Sequence, residues 1–216
     1  MTKNQEVKKN DRGRYALKGS RLWGVLLFLT LLFIDQLTKL VADAYFSADD
    51  TPSKIAVIPN WIELCITYNR GISYGLGSGA PTWSKILVIA VTAVMMTGLT
   101  ILYFKIDKRR SWLRTSLVFV VGGGVGNLID RVYYRVWETG VSGGVRDMVD
   151  LSRFGFAVCN FADFFITAGA IMLALSLLFL DTDSIFPATK KYKALAKEAE
   201  EKEALKKTQK QAKNNG

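Results

Sequence analysis

Residues 86–104 read ILVIAVTAVMMTGLTILYF, an unbroken run without a charged side chain. As a helix rising ~1.5 Å per residue, this stretch is about 28 Å long, close to the ~30 Å hydrocarbon core of a bilayer. Three further stretches share its character. Residues 22–42 open with the apolar block 22–34, residues 113–129 are apolar but glycine-rich, and residues 161–180 carry a single charge, Asp163, near their start. Buried helices of a soluble domain are the alternative, but no amphipathic segment is left to cover four such helices. The expected fold class is an all-α membrane protein with four transmembrane helices.

The basic residues orient the spans. Of the 29 Lys and Arg in the 216-residue chain, seven lie in residues 1–21, five in 105–114 and nine from 181 onward. With four crossings these clusters share one side, and the positive-inside rule makes that side cytoplasmic. Both termini are then expected in the cytoplasm, with the long loops 43–85 and 131–160 outside. The net charge of +10 reads as a topology signal. A nucleic-acid partner is not expected, because the basic clusters flank spans and no aromatic stacking set accompanies them.

The expected organisation is a basic cytoplasmic segment (1–21), a membrane domain (22–180) and a Lys/Glu/Ala-rich cytoplasmic tail (181–216) that is a solvated helix or disordered. The first span has the basic leader and small-residue run of a signal peptide. Its internal Asp35-Gln36-Leu37-Thr38-Lys39 argues for a retained span instead. In the outer loops, residues 54–69 (KIAVIPNWIELCITYN) predict one or two short strands near the membrane surface around a Pro59-Asn60 turn. Residues 134–144 read as a flexible loop.

The chain has no His and two Cys, Cys65 and Cys159. That excludes Ser-His-Asp and Cys-His catalysis, an HExxH zinc helix, haem-His ligation, a disulfide framework and a thiolate zinc site. No metal or cofactor is expected, and the two thiols, both in or near the outer region, read as free, with a disulfide between them the alternative. Chemistry falls to the polar residues inside or at the ends of the spans, where an ionisable group costs at least ~2.5–3.5 kcal/mol to insert.

Asp35 and Lys39 are one helical turn apart and share a face. Asn127, Asp130 and Arg131 end the third span, Asn160 and Asp163 start the fourth, and Asp147 and Asp150 lie between. Counted from the cytoplasmic side, Asp35 lies roughly 20 Å in and Asp130 roughly 25 Å in. Asp163 begins a span that enters from outside. All reach one level near the outer leaflet. Gly122 and Gly126 form a GxxxG that suits close helix packing. No Gly-Lys-Ser/Thr follows, so it is not a phosphate loop.

Two Asp held close share one proton, since like charges at short range do not both ionise. One carboxyl then donates while the other accepts. Such a pair hydrolyses peptides without His, Cys, Ser or metal. Spacing alone does not say which two Asp pair. Intramembrane carboxylates also serve transporters and proton relays, and polar groups also glue helices in assembly factors. No internal repeat of the kind transporters carry is visible.

Five motifs resemble those of one family, in order. They are Asp35-Gln36-Leu37-Thr38-Lys39 (DQxxK), Tyr68-Asn69-Arg70-Gly71-Ile72-Ser73-Tyr74-Gly75 (an NxGxxFG-type loop), GGGVGNLIDR at residues 122–131 (GGxxGNxxDR), Val145-Arg146-Asp147-Met148-Val149-Asp150 (VVDFI/VVDMI) and Cys159-Asn160-Phe161-Ala162-Asp163 (FNxAD). The family is lipoprotein signal peptidase, or signal peptidase II.

The resemblance implies an intramembrane aspartyl endopeptidase of the bacterial inner membrane that works near the outer leaflet. It would cut the signal peptide from diacylglyceryl-modified prolipoproteins just before the lipidated Cys, with membrane lipids and globomycin-type inhibitors as further partners. It also implies a small extracytoplasmic β-sheet, a catalytic pair at Asp147 and Asp163, and substrate-binding or supporting roles for Asp35, Lys39, Asn69, Gly71, Asn127, Asp130, Arg131 and Asn160. Three departures stand out: a long link between Arg131 and Asp147, Arg146 where the family often has Val, and Cys159 where it has Phe. Asp150 is the rival to Asp147. The GxGD element of other intramembrane aspartyl enzymes is not matched, because Gly124-Val125-Gly126 leads into Asn127.

Overall fold

The computed structural model describes residues 21–49, 51–71, 79–106, 110–138 and 143–180, with 197, 201, 204 and 205. The basic N-terminal segment, positions 72–75 of the loop motif, residues 139–142 and nearly all of the tail lie outside the described residues.

Four helices form the body: α1 (Arg21–Phe46), α2 (Thr82–Lys105), α3 (Ser111–Tyr133) and α4 (Phe161–Leu175), the last running into a wider π-helical turn at Ser176–Leu180. Each is long and apolar enough to cross a membrane. The first three extend beyond the apolar runs by up to a turn, because flanking residues such as Ala42-Asp43-Ala44-Tyr45 are compatible with continued helix. Large apolar side chains including Phe33, Leu40, Val94 and Ile171 face outward. That is the arrangement expected where the solvent is lipid.

The helix at the centre is the least apolar. α3 buries Leu113, Leu117, Val118, Val121 and its glycines, and packs against α1, α2 and α4. Successive helical residues point ~100° apart, so the run 122–126 addresses three neighbours in turn. A Cβ on Gly122 would meet Leu31 of α1 at 3.3 Å, on Gly123 the Ala162 carbonyl of α4, on Gly124 the Met96 sulfur of α2, and on Gly126 the Asp35 carboxylate. The run is a socket for three helices, and the GxxxG pair is part of it.

Overpacking a socket of this kind costs ~1–3 kcal/mol. Gly123→Val is therefore expected to lower the thermal midpoint in detergent by several degrees. Gly98→Ala, where a Cβ meets nothing within 4 Å, should leave it unchanged or raise it. Equal midpoints for the two variants would contradict the socket.

A three-stranded antiparallel sheet in the order β1-β2-β3 caps one end of the bundle: β1 (Ile55–Ile58), β2 (Ile62–Asn69) and β3 (Val145–Asp150). The β1–β2 turn is the expected Pro59-Asn60. Trp61 N–H donates to the Ile58 carbonyl at 2.9 Å, and Asn60 takes φ 64°, which fits Pro then a positive-φ residue in a type II turn. β3 is not legible as a strand in the sequence. All six of its residues are buried, so it lacks the apolar/polar alternation of a half-exposed strand.

On one edge β3 pairs with β2, with Thr67 opposite Asp147 and Asn69 opposite Val145. On the other, Cys159 exchanges backbone hydrogen bonds with Val149 at 2.8 and 3.0 Å. Asp147 thus sits in the middle of the layer. A register shift between Leu64 and Thr67 lies beside it, and such bulges re-aim side chains.

The start of the expected flexible loop is tied down. Residues 134–138 form a hydrogen-bonded turn, Val136 is buried and the Tyr134 ring lies edge-on to Tyr68 at 6.0 Å. Aromatic and apolar side chains here find cover that the polar composition hid.

Candidate active site

Asn160 is the N-cap of α4 and the hub of the site. Its side-chain oxygen accepts from Asp163 N–H at 3.1 Å, while Asp163 Oδ2 accepts from Asn160 N–H at 3.1 Å. This is a capping box with Asp as the reciprocating residue. It holds Asp163 in the first turn, where the helix dipole favours negative charge. Asn160 Nδ2 donates to Asp147 Oδ1 at 2.6 Å and to Asn127 Oδ1 at 3.0 Å. Asn127 Nδ2 in turn donates to Asp163 Oδ1 at 2.9 Å. Two amides therefore span two carboxylates contributed by β3 and α4.

A charged layer supports the amides. Lys39 Nζ lies 2.9 Å from Asp35 Oδ2, 2.9 Å from Asn127 Oδ1 and 3.6 Å from Asp130 Oδ2, and Lys39, Asp35 and Asp130 are fully buried. Asp35 Oδ1 also accepts from the Ala162 N–H at 2.9 Å, one of the donors left unpaired at the start of α4. Gln36 Nε2 reaches Asp35 Oδ2 at 3.0 Å and the Gly126 carbonyl at 3.1 Å. With no Cβ, Gly126 leaves Asp35 its room.

On the sheet side, Asn69 bonds to Asp147 and accepts from Gly71 N–H at 2.9 Å. The Gly71 carbonyl lies 3.5 Å from Arg131 Nη2, and Arg131 feels the charges of Asp163, Asp147 and Asp130. The ten residues to which the motifs give a catalytic or supporting role therefore join one cluster.

Asp150 does not. Lys54 Nζ binds it at 2.5 Å and Ser152 N–H at 2.9 Å, and these partners hold its carboxyl down at about 2. Asp147 has the opposite environment. Burial, and then the charge of Asp163, push its carboxyl up to about 7 against the hydrogen bonds from Asn160 and Asn69 and the charge of Lys39.

Cys65 and Cys159 are free. Burial and then the charges of Asp163, Asp147 and Asp150 raise the Cys159 thiol to about 12, so it stays protonated and unreactive at neutral pH. Its backbone pairs with Val149, and its Sγ lies 3.6 Å from the Val149 carbonyl. Among the described residues no cluster suited to a metal ion is present.

The family model described as Signal peptidase (SPase) II matches residues 27–179, a span that contains every residue of the cluster. This chain belongs to the signal peptidase II family. It is 32% identical over 165 residues to the lipoprotein signal peptidase of Fusobacterium nucleatum subsp. nucleatum, covering 76% of this chain and 90% of that protein. It is 34% identical over 175 residues to the lipoprotein signal peptidase of Pseudomonas fluorescens, covering 78% and 92%. A solved bacterial membrane enzyme, determined by the in meso method at 2.3 Å resolution, aligns with TM-score 0.58 and 25% identity over 72% of this chain and 87% of that one.

For a signal peptidase II, the cluster also holds residues to which the motifs assigned no site role. Gln36, the second residue of the DQxxK motif, was within reach of the sequence. Arg146, Asp43, Tyr68 and Tyr134 were not, because α1, the sheet and the turn after α3 bring them together from distant positions.

Proposed function

We propose that this signal peptidase II is an intramembrane aspartyl endopeptidase that removes signal peptides from diacylglyceryl-modified prolipoproteins, cutting just before the lipidated Cys. The observation that carries this reading is Asn160, which binds Asp147 through its side chain and Asp163 through its capping box. It thereby holds two carboxylates together in a chain without histidine. The membrane domain is residues 22–180, with both termini cytoplasmic and the sheet and site at the outer leaflet. The substrate enters laterally from lipid, and its acyl chains stay in the bilayer.

The chemistry follows from the protonation of the pair. Asp147, raised to about 7, serves as the acid of the pair and Asp163 as the base. Asp163 takes a proton from water as the water oxygen bonds to the scissile carbonyl carbon, while Asp147 donates to the carbonyl oxygen. Collapse of the tetrahedral gem-diol breaks the C–N bond as the proton taken from water passes from Asp163 to the amide nitrogen and one hydroxyl returns its proton to Asp147, which restores the pair. Asn127 and Asn160 fix the carboxylates, and Asn69, Gly71 and Arg131 line the path of the substrate backbone.

The sign of the pH dependence is set by this assignment. The pair titrates as a unit, and raising the pH through about 7 strips the shared proton. Activity is expected to fall on that limb, seen as kcat/KM against pH in lipid-detergent micelles. A profile flat to pH 9 would contradict the shared proton.

In cells, depletion of the protein should accumulate uncut, lipid-modified prolipoprotein, and globomycin should reproduce the effect. Normal processing after depletion would overturn the reading.

A further inference from the structure

Arg146 is a cation at the second position of a strand buried on both faces, beside Asp147 in sequence but on the opposite face of β3. A charge so placed is retained only where it is fully paired. Its partner is Asp130. The guanidinium donates from Nη2 to Asp130 Oδ1 at 2.8 Å and from Nε to Asp130 Oδ2 at 3.3 Å, and Arg146 N–H donates to Asp130 Oδ2 at 3.0 Å. One carboxylate at the end of α3 thus grips both the side chain and the backbone of the residue before Asp147.

The same Nη2, and Nη1 beside it, also reach α1. Nη2 lies 3.3 Å from Gln36 Oε1 and Nη1 3.9 Å from Asp43 Oδ2. Its face lies 5.5 Å from the centre of the Tyr134 ring. Asp43 is also bound by the hydroxyls of Tyr68, from β2, and Tyr134. Arg146 therefore fastens β3 to α1, to α3 and to the turn after α3.

We infer that Arg146 is a positioning residue for the Asp147–Asp163 pair, fixing the height of β3 against α3 through Asp130 and leaving Lys39 free to serve Asp35 and Asn127. This rests on the reading of that pair as the catalytic dyad. Charge balance explains the second half. Asp35 and Asp130 are two buried anions, and Lys39 and Arg146 two cations. Without Arg146, Lys39 is the one cation among the described residues left in an ion pair with either carboxylate, Arg131 acting on Asp130 only at longer range, and it is drawn toward Asp130, away from Asn127, the amide that holds Asp163.

The groups facing Arg146 are Asp130 of α3, Asp43 and Gln36 of α1, Tyr134, and Tyr68 through Asp43. Those facing Asp147 are Asp163 of α4, Lys39 of α1, Arg131 of α3, the amides of Asn160 and Asn69, and the Cys159 and Cys65 thiols. Among these, Lys39 is the one a lost Arg146 moves. Its charge favours the ionised form of Asp147, so its withdrawal leaves Asp147 protonated to higher pH.

The test compares Arg146→Met and Arg146→Lys in the purified full chain, on a diacylglyceryl-modified prolipoprotein, with Asp147→Asn and Asp163→Asn alongside. Arg146→Met is expected to lower kcat about 10-fold with KM within about 2-fold, as a small misplacement of reacting groups does. The alkaline limb of its pH profile should move up by about half a unit. Arg146→Lys keeps the charge but loses the fork, so it should keep the pH profile and recover part of kcat.

Loss of folded protein alone moves neither the pH limb nor the Lys rescue. Wild-type kcat and pH profile in Arg146→Met overturn the inference. If Arg146→Met does not accumulate, Arg146→Lys decides: lowered kcat at unchanged KM supports the inference, and wild-type kcat overturns it. Cleavage that survives both Asp→Asn changes overturns the dyad itself, whatever the Arg146 variants do.

Discussion

Asp147→Asn and Asp163→Asn should each lower kcat/KM by on the order of 10³-fold or more while the protein still inserts and folds. Asn keeps the shape of Asp. At position 147 its oxygen still accepts from Asn160 Nδ2, which now meets Asp147 Oδ1 at 2.6 Å. At position 163 an Asn side chain still caps through the backbone N–H of Asn160, now bonded to Asp163 Oδ2 at 3.1 Å. What each change removes is a group able to take up and release the shared proton.

Asp150→Asn is the internal control, expected to stay within about 3-fold of wild type, as for changes that leave the reacting groups in place. Asp150 answers to Lys54 and Ser152, and none of the site amides touches it. An active Asp147→Asn with a dead Asp150→Asn would reverse the assignment of the pair.

Lys39→Met should cost ~3–5 kcal/mol of stability, the range for removing one partner of a buried ion pair. Met matches the length of Lys and leaves little cavity, so the loss is electrostatic. Asp35 would keep only the Gln36 amide and the Ala162 N–H. Asn127 Oδ1 would keep only Asn160. The thermal midpoint in detergent should fall steeply. The double change Asp35→Asn with Lys39→Met should recover part of it, because it deletes the stranded anion with its partner. A single variant as stable as wild type would mean that the layer under the dyad carries no weight.

The spans were legible because an apolar run of bilayer length has few other uses, as residues 86–104 illustrate. The meeting of polar residues was legible for a related reason. A carboxylate at position 35 and an amide at 127, each at the same depth of its own helix, are costly unless they meet.

Three features escaped the sequence. β3 hides because both its faces are covered, so the pattern that marks strands is absent. The GGGVG run reads as one GxxxG, whereas the structure uses four glycines against three helices. Arg146 looks like a departure from a motif until Asp130 and Tyr134 are seen around it, and its neighbours come from positions 16, 110 and 103 residues apart in the chain for Asp130, Gln36 and Asp43. The choice between Asp147 and Asp150 rested on motif fit. The structure separates them physically, since three positions along a strand put side chains on opposite faces.

The most direct test of the central claim is cleavage of a diacylglyceryl-modified prolipoprotein by the purified protein in lipid-detergent micelles, with both products read by mass spectrometry. The expected result is a single cut that leaves the lipidated Cys as the new N-terminal residue, blocked by globomycin and lost in Asp147→Asn and Asp163→Asn. Uncut substrate with the wild-type protein, or the same cut made by either Asn variant, would contradict it.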